Sequence, residues 1–289
     1  MISLRRYIST IAVIGAGQMG AGIAYTAARA GLTVILSDTT EAALDNAKNK
    51  LIKNAIGYDM HKENIDDPEP ILAKMTYSTD MAALKNAEFV IEAIVESEQV
   101  KEACFNAISA TVGPDTIIAS NTSSISITKL ATFTDDPTKF IGTHFFNPPP
   151  RMKLLEVIEG ARTSEETVKK TMELAKVMDK TAVKSIDRPG FVVNRILVPF
   201  MNEAFNVLNE NIASAEDIDT AMKLGLNLKM GPLMLADFVG LDTCLSVMRV
   251  FHKEFGDSKY RPAPNLVNYV NAGLLGVKTG RGVYDYTKK

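Results

Sequence analysis

With 289 residues, 46% of them apolar, the chain can bury a substantial core, and its length suits about two domains. A formal charge of −2, from 32 basic and 34 acidic residues, gives no reason to expect a nucleic-acid partner, although interspersed lysines leave local basic patches open. Cys104 and Cys244 stand far apart with no metal-type spacing of Cys or His, and no apolar run reaches the ~18 residues that span a bilayer, so a disulfide scaffold, a metal site and a membrane anchor are all unexpected.

In chain order, "MISLRRYIST" opens with two arginines and no acid, which fits either a fragment of a mitochondrial presequence or a frayed basic terminus. "TIAVIG" is a continuous apolar run that stops at glycine, as a fully buried parallel strand does. Alanine-rich sequence from Met19 to Ala30 predicts a helix, with Gly31 as its C-terminal cap. "TVILSD" is a second strand ending in Asp38, so the first forty residues form one βαβ unit. Residues 40–75 interrupt this rhythm as a helical arm: a long charged helix with Leu44, Ala47, Leu51 and Ala55 on one face, then "DDPEP" and a shorter helical piece.

Alternation then resumes. "EFVIEAIV", "TIIASN", "FIGTHFF" and "LLEVIEG" are strand candidates, and helices are predicted at 98–112 and 164–179, the second capped by Thr163 with Glu166. This pattern predicts an α/β fold, with an open, mainly parallel sheet covered on both faces. After "IDRPGF" the strand signal fades, and 191–208, 214–226 and 231–255 carry helical spacing. The expected division is a Rossmann-type domain at 1–186 and an all-α C-terminal domain at 187–289.

Gly15, Gly17 and Gly20 in "GAGQMGAG" form G-x-G-x-x-G, which allows a tight turn, close approach of backbone to a pyrophosphate, and close packing of helix on sheet. Gln18 and Met19 lie inside the same loop and are taken with the glycines as cofactor contacts. The motif follows a strand, opens a helix and precedes an acid at the end of the next strand, the context that separates a dinucleotide site from a glycine-rich turn that binds nothing. Asp38 would accept hydrogen bonds from ribose hydroxyls and repel a 2′-phosphate. Thr39 and Thr40 follow it where an arginine would be needed, so NAD is expected rather than NADP.

His144 and Glu156 are equidistant from position 150, inside "NPPPR", so a hairpin turning there sets them opposite each other on one face. A carboxylate beside imidazole fixes its tautomer and makes it a better general base, as oxidation of an alcohol requires. By residue type and spacing alone, a core histidine satisfied by an acid fits equally well.

"VIGAGQMGAGIA", "ASNTSS", "THFFNPPPRMKLLEV", "DRPGFVVNR", "GPLMLADFVGLD" and "GVKTGRGVYDY" together resemble the L-3-hydroxyacyl-CoA dehydrogenase family, including its 3-hydroxybutyryl-CoA members, over residues 11 to 286. The resemblance implies NAD-dependent interconversion of (S)-3-hydroxyacyl-CoA and 3-oxoacyl-CoA, in a cleft between the sheet and the helical domain. It implies that His144 is the general base and that Glu156 orients it. Ser123 would hydrogen-bond the substrate's 3-oxygen near the nicotinamide, Asn194 would help hold that oxygen, and Asn147 would position the nicotinamide. Glu96, Lys101 and Lys278 match cofactor-contacting positions. Without the motifs around them, Ser123 and Asn147 would be read as turn residues, and Glu96 with Lys101 as a solvated helix face.

The arm corresponds to the part of the family that meets coenzyme A, where Lys50, Lys53 and Lys62 could contact phosphates. Arg151, Asn54 and His61 depart from the residue types expected of relatives, which bears on acyl preference. The apolar runs "GPLMLADFVGL" and "CLSVMRVF" exceed what a small bundle needs, and the family implies a homodimer through this domain. Asp237, in the first run, is read as a structural carboxylate. The settings that suit such an enzyme are the mitochondrial matrix and the cytoplasm. A β-hydroxyacid dehydrogenase would need a catalytic lysine in place of the His–Glu pair, and a non-enzymatic dinucleotide-binding or structural member would not need Ser123, His144, Glu156 and Asn194 together.

Overall fold

The structure, a computed structural model, describes residues 8–58 and 68–287, without the side chains of 54–58. The basic stretch ahead of Ile8, Lys62 and His61, and the side chains of Asn54 and Ala55, lie outside the described residues. The chain divides into two compact units, Met1–Arg188 and Pro189–Lys289.

In the first unit, β1 (Thr10–Ile14), β2 (Thr33–Ser37), β3 (Met75–Ser78), β4 (Phe89–Glu92), β5 (Ile117–Ser120), β6 (Phe140–Phe145), β7 (Leu154–Glu159) and β8 (Thr181–Ile186) form one sheet in the order β3-β2-β1-β4-β5-β6-β7-β8. The first six are mutually parallel, β7 is antiparallel to β6, and β8 runs with β7. Ile11, Val13, Val90 and Ile91 are fully buried, as strands without polar alternation must be when both faces are covered. The covering helices are α1 (Gln18–Arg29), α2 (Glu41–Tyr58), α3 (Glu69–Leu72), α4 (Glu98–Thr111), α5 (Ile127–Ala131) and α6 (Glu165–Val177). Leu44, Ala47 and Leu51 bury the apolar stripe of α2, and Gly31, at φ +87°, ends α1 in the left-handed conformation.

Three local expectations differ. β3 and β8 were not expected as strands. Both are sheet edges, β8 with only half-buried or exposed residues, so neither leaves a continuous apolar signal. The cap of α6 is Ser164, whose side chain accepts from the Thr167 N–H, while the Thr163 hydroxyl donates to the Phe140 carbonyl. Pairing takes the Thr163 hydroxyl out of the capping position.

The second unit contains α7 (Val193–Asn209), α8 (Ala215–Leu226), α9 (Pro232–Val239), α10 (Leu241–Phe255) and α11 (Pro264–Asn271), packed around Met201, Phe205, Leu233, Leu245, Met248 and Phe251. The expected 231–255 helix is therefore two, broken at Gly240, whose φ of +100° lies in a region that side chains avoid. "CLSVMRVF" supplies core residues rather than exposed ones. The exposed apolar side chains of this unit include Ile196, Ile212, Leu224, Leu226 and Phe238.

Candidate active site

The strand order reverses between β1 and β4, and the chain segments leaving the carboxyl ends of these strands and of β5 meet at this switch point. Gly15 leaves β1 at φ +100°, and a Cβ there would lie 2.6 Å from the Ala93 carbonyl oxygen. A Cβ at Gly20 would lie 1.8 Å from the Gly15 oxygen, so α1 can pack this closely only with glycine at both positions. A Cβ at Gly17 would meet no described atom within 4 Å, and Gly17 caps α1 without a side-chain hydrogen bond. No side chain of the described residues caps the first N–H groups of this twelve-residue helix, and Gly17 leaves room beside them, a geometry that fits a dinucleotide pyrophosphate. Gln18 is exposed and Met19 half-buried on the first turn. The Asp38 carboxylate closes the adjacent corner, accepting from the Ala16 N–H at 2.6 Å and the Thr39 N–H at 2.7 Å.

At the end of β4, the fully buried Glu92 accepts from Lys101 Nζ at 2.5 Å, the Ser120 hydroxyl at 2.6 Å and the Ile94 N–H at 2.7 Å. Lys101 is 1% exposed on α4 and also lies 3.4 Å from Glu96 Oε2. It is thus no solvated face residue. One Glu96 oxygen accepts from the Thr122 hydroxyl at 2.6 Å, from the N–H groups of Ser123 and Ser124 at 3.0 and 3.2 Å, and from the Ser124 hydroxyl at 3.0 Å; the Ser123 hydroxyl is the farthest, at 3.5 Å. Burial raises the Glu96 pKa, but Lys101 and these donors outweigh it and hold the carboxyl below its ordinary range.

The hairpin forms with His144 opposite Glu156 in register. His144 Nδ1 and Glu156 Oε2 are 2.7 Å apart, with both residues buried. The Asn121 carboxamide accepts from the Phe145 N–H at 2.9 Å, joining this strand to the loop of Ser123. Asn147, exposed in the turn, accepts from Gln18 Nε2 at 3.1 Å, and the Asn147–Pro148 peptide is cis. Pro149 packs on α1 at Gly22, where a Cβ would lie 2.9 Å from its ring, and Arg29 donates to the Pro150 carbonyl at 3.3 Å. Lys180 Nζ donates to the carbonyls of Pro149 and Met152 at 2.5 and 2.8 Å.

Gly15, Gly17, Gln18, Gly20, Asp38, Glu96, Lys101, Ser123, His144, Asn147 and Glu156 thus belong to one linked set of segments in the first unit. Lys50 and Lys53 are exposed on α2. Asn194 is the second residue of α7 in the other unit, where Lys278 pairs with Asp242 at 2.5 Å. Asp237 is fully buried and accepts from the N–H groups of Val283 and Tyr284 and from the Tyr286 hydroxyl, all at 3.0 Å. Glu92, Asn121 and Lys180 were not singled out from the sequence. Only Glu92 left a signal, a charge ending the apolar run "FVIE".

Residues 10–188 match the family model for the NAD binding domain of 3-hydroxyacyl-CoA dehydrogenase, and residues 190–286 match the model for its C-terminal domain. A probable 3-hydroxybutyryl-CoA dehydrogenase of Deinococcus radiodurans is 49% identical over 275 residues, covering 95% of this chain and 99% of the relative. A 3-hydroxybutyryl-CoA dehydrogenase of Bradyrhizobium diazoefficiens is 46% identical, covering 96% of each. The crystal structure of an (S)-3-hydroxybutyryl-CoA dehydrogenase from Ralstonia eutropha superposes with a TM-score of 0.94 at 47% identity, over 97% of this chain and all of that one.

Proposed function

The chain belongs to the 3-hydroxyacyl-CoA dehydrogenase family, and from that premise we propose that it interconverts (S)-3-hydroxyacyl-CoA and 3-oxoacyl-CoA with NAD, preferring short acyl chains such as 3-hydroxybutyryl. The observation that carries this reading is the 2.7 Å contact of His144 with Glu156 in a hairpin tied to the glycine loop. Bound NAD supplies the acceptor for the hydride. The open start of α1 holds its pyrophosphate, Asp38 its ribose hydroxyls, and Gln18, Met19, Glu96 and Asn147 line the same stretch.

With Nδ1–H given to Glu156, the imidazole presents Nε2 as the nitrogen that takes the substrate's hydroxyl proton, and Glu156 stabilises the imidazolium that results. Ser123 hydrogen-bonds the 3-oxygen. Asn194, in the second unit, takes the part that the resemblance gives it. Lys50 and Lys53 meet the phosphates of coenzyme A, a role the resemblance also gives Lys62, which lies outside the described residues, and Lys278 keeps the cofactor role that the resemblance gives it.

We further assign self-association as a homodimer to the second unit, whose exposed Ile212, Leu224, Leu226 and Phe238 favour an apolar partner. Among the described residues, no helix is long and apolar enough to cross a membrane. Both cysteines are free, which suits the cytoplasm or the mitochondrial matrix. The test is loss of NADH absorbance with acetoacetyl-CoA, followed by steady-state rates on 3-oxoacyl thioesters from C4 to C16. A rate that rises toward the long chains overturns the short-chain preference, and no oxidation of NADH with any of them overturns the reaction.

A further inference from the structure

Glu92 puts a carboxyl group inside an otherwise apolar strand, and stability alone gives no reason to place it there. A buried ion pair such as Glu92 with Lys101 roughly breaks even against an apolar pair of the same volume, because desolvation offsets attraction. What an apolar pair could not do is reach further. Lys101 has a second acceptor in Glu96, and Glu96 gathers the N–H groups and hydroxyls of the Thr122–Ser124 turn. Glu92 also binds the start and end of this path directly, through the Ile94 N–H and the Ser120 hydroxyl, and its carbonyl accepts from the Asn121 N–H at 2.8 Å. Three segments at the switch point are therefore referenced to one carboxylate: the β4–α4 loop, helix α4 and the end of β5.

We infer that Glu92 is a positioning residue for the dehydrogenation, acting through Lys101 and Glu96 to hold the Asn121–Ser124 loop, and with it the Ser123 hydroxyl, where the reacting oxygen needs it. The inference rests on the reaction proposed above. Lys101, by the same geometry, serves the cofactor pocket by fixing Glu96. The long Ser123 hydroxyl contact fits this role: the loop is fixed through backbone donors, and the hydroxyl stays the most weakly engaged group, able to turn toward a ligand.

The test uses the intact enzyme with Glu92→Gln, which keeps shape and removes charge. Turnover of acetoacetyl-CoA should fall about 10- to 100-fold, as misplacement of a reacting group by about an ångström does, a larger loss than the rise in the KM for NADH that follows from loosening Glu96 in the cofactor pocket. Amide hydrogen exchange in the 120–126 segment should accelerate about 10-fold, while the β1 amides keep their protection. In a Ser123→Ala background, Glu92→Gln should cost less than about 2-fold, because the two act as one unit.

If Glu92→Gln fails to fold, the paired swap Glu92→Leu with Lys101→Met replaces the ion pair with apolar volume and carries the same expectations for turnover, for exchange at 120–126 and for the Ser123→Ala background. Turnover near that of the native enzyme in a folded variant, unchanged exchange at 120–126, or losses that multiply with Ser123→Ala would each overturn the assignment. The reaction itself is judged separately by His144→Gln, while the exchange readout at 120–126 needs no substrate.

Discussion

Replacing His144 with glutamine keeps a hydrogen-bonding group beside Glu156 and removes the proton acceptor. His144→Gln should fold and bind NADH within about 2-fold of the native enzyme, yet lose about 10²- to 10⁴-fold in turnover, the usual share of a general base. Stopped-flow reduction and NADH fluorescence separate the two quantities, and near-normal turnover would remove the base role. Asp38→Arg should weaken NADH and shift the preference toward NADPH, read as the ratio of kcat/KM for the two cofactors, with an unchanged ratio arguing against Asp38 in the ribose site. The residues behind both predictions were legible because strand period and turn position fix register: counting from position 150 pairs His144 with Glu156. Lys101 was not legible in the same way. On α4 it falls among Glu98, Gln99 and Glu102, a pattern that reads as a solvated face, and only the neighbouring strand end shows that its ammonium is buried against Glu92.

At the scale of elements, the central strands announced themselves as apolar runs, whereas the edge strands β3 and β8 and the break between α9 and α10 depended on neighbours. Gly240 could be a helical glycine until its φ is known. The turn of the His144–Glu156 hairpin is the element whose support was least visible, because Lys180 lies far along the chain from the carbonyls of Pro149 and Met152 that it serves. Burial, with Arg29 and Lys153 nearby, lowers the Lys180 amine from 10.5 to about 8 against the pull of Asp179. The folded chain therefore releases this proton before the unfolded chain does. Between about pH 8 and 10.5 the unfolded state holds more of it, and this group's contribution to stability rises with pH. Across that window the stability of the native enzyme relative to Lys180→Met should improve by about 1–2 kcal/mol, the shift at about 1.4 kcal/mol per unit reduced by solvent screening. Urea midpoints at pH 7.5, 9 and 10 measure it, and a constant gap between the two proteins would contradict the linkage.

For the molecule as a whole, two hydrophobic cores, one in each unit, account for most of the buried apolar side chains. The second unit leaves Leu224 80% exposed, with Ile212 and Leu226 also on its surface. Sedimentation velocity should find a species of twice the 31.5 kDa chain mass, and Leu224→Glu with Ile212→Glu should move it toward one chain. A native protein that sediments as a single chain at micromolar concentration, or a double variant that stays paired, would count against the assignment.

Asp237 adds a temporal consequence. Its carboxylate is fully buried in the second unit, but its donors come from Val283, Tyr284 and Tyr286, dozens of residues later in synthesis. A nascent chain that closed around α9 before those residues left the ribosome would trap an acceptor with nothing to donate to it, at a cost of about 1–3 kcal/mol or more for a charged group. The helical unit therefore completes its interior only after translation has passed residue 286, while the sheet unit, with all its strands already emerged, can be finished beforehand.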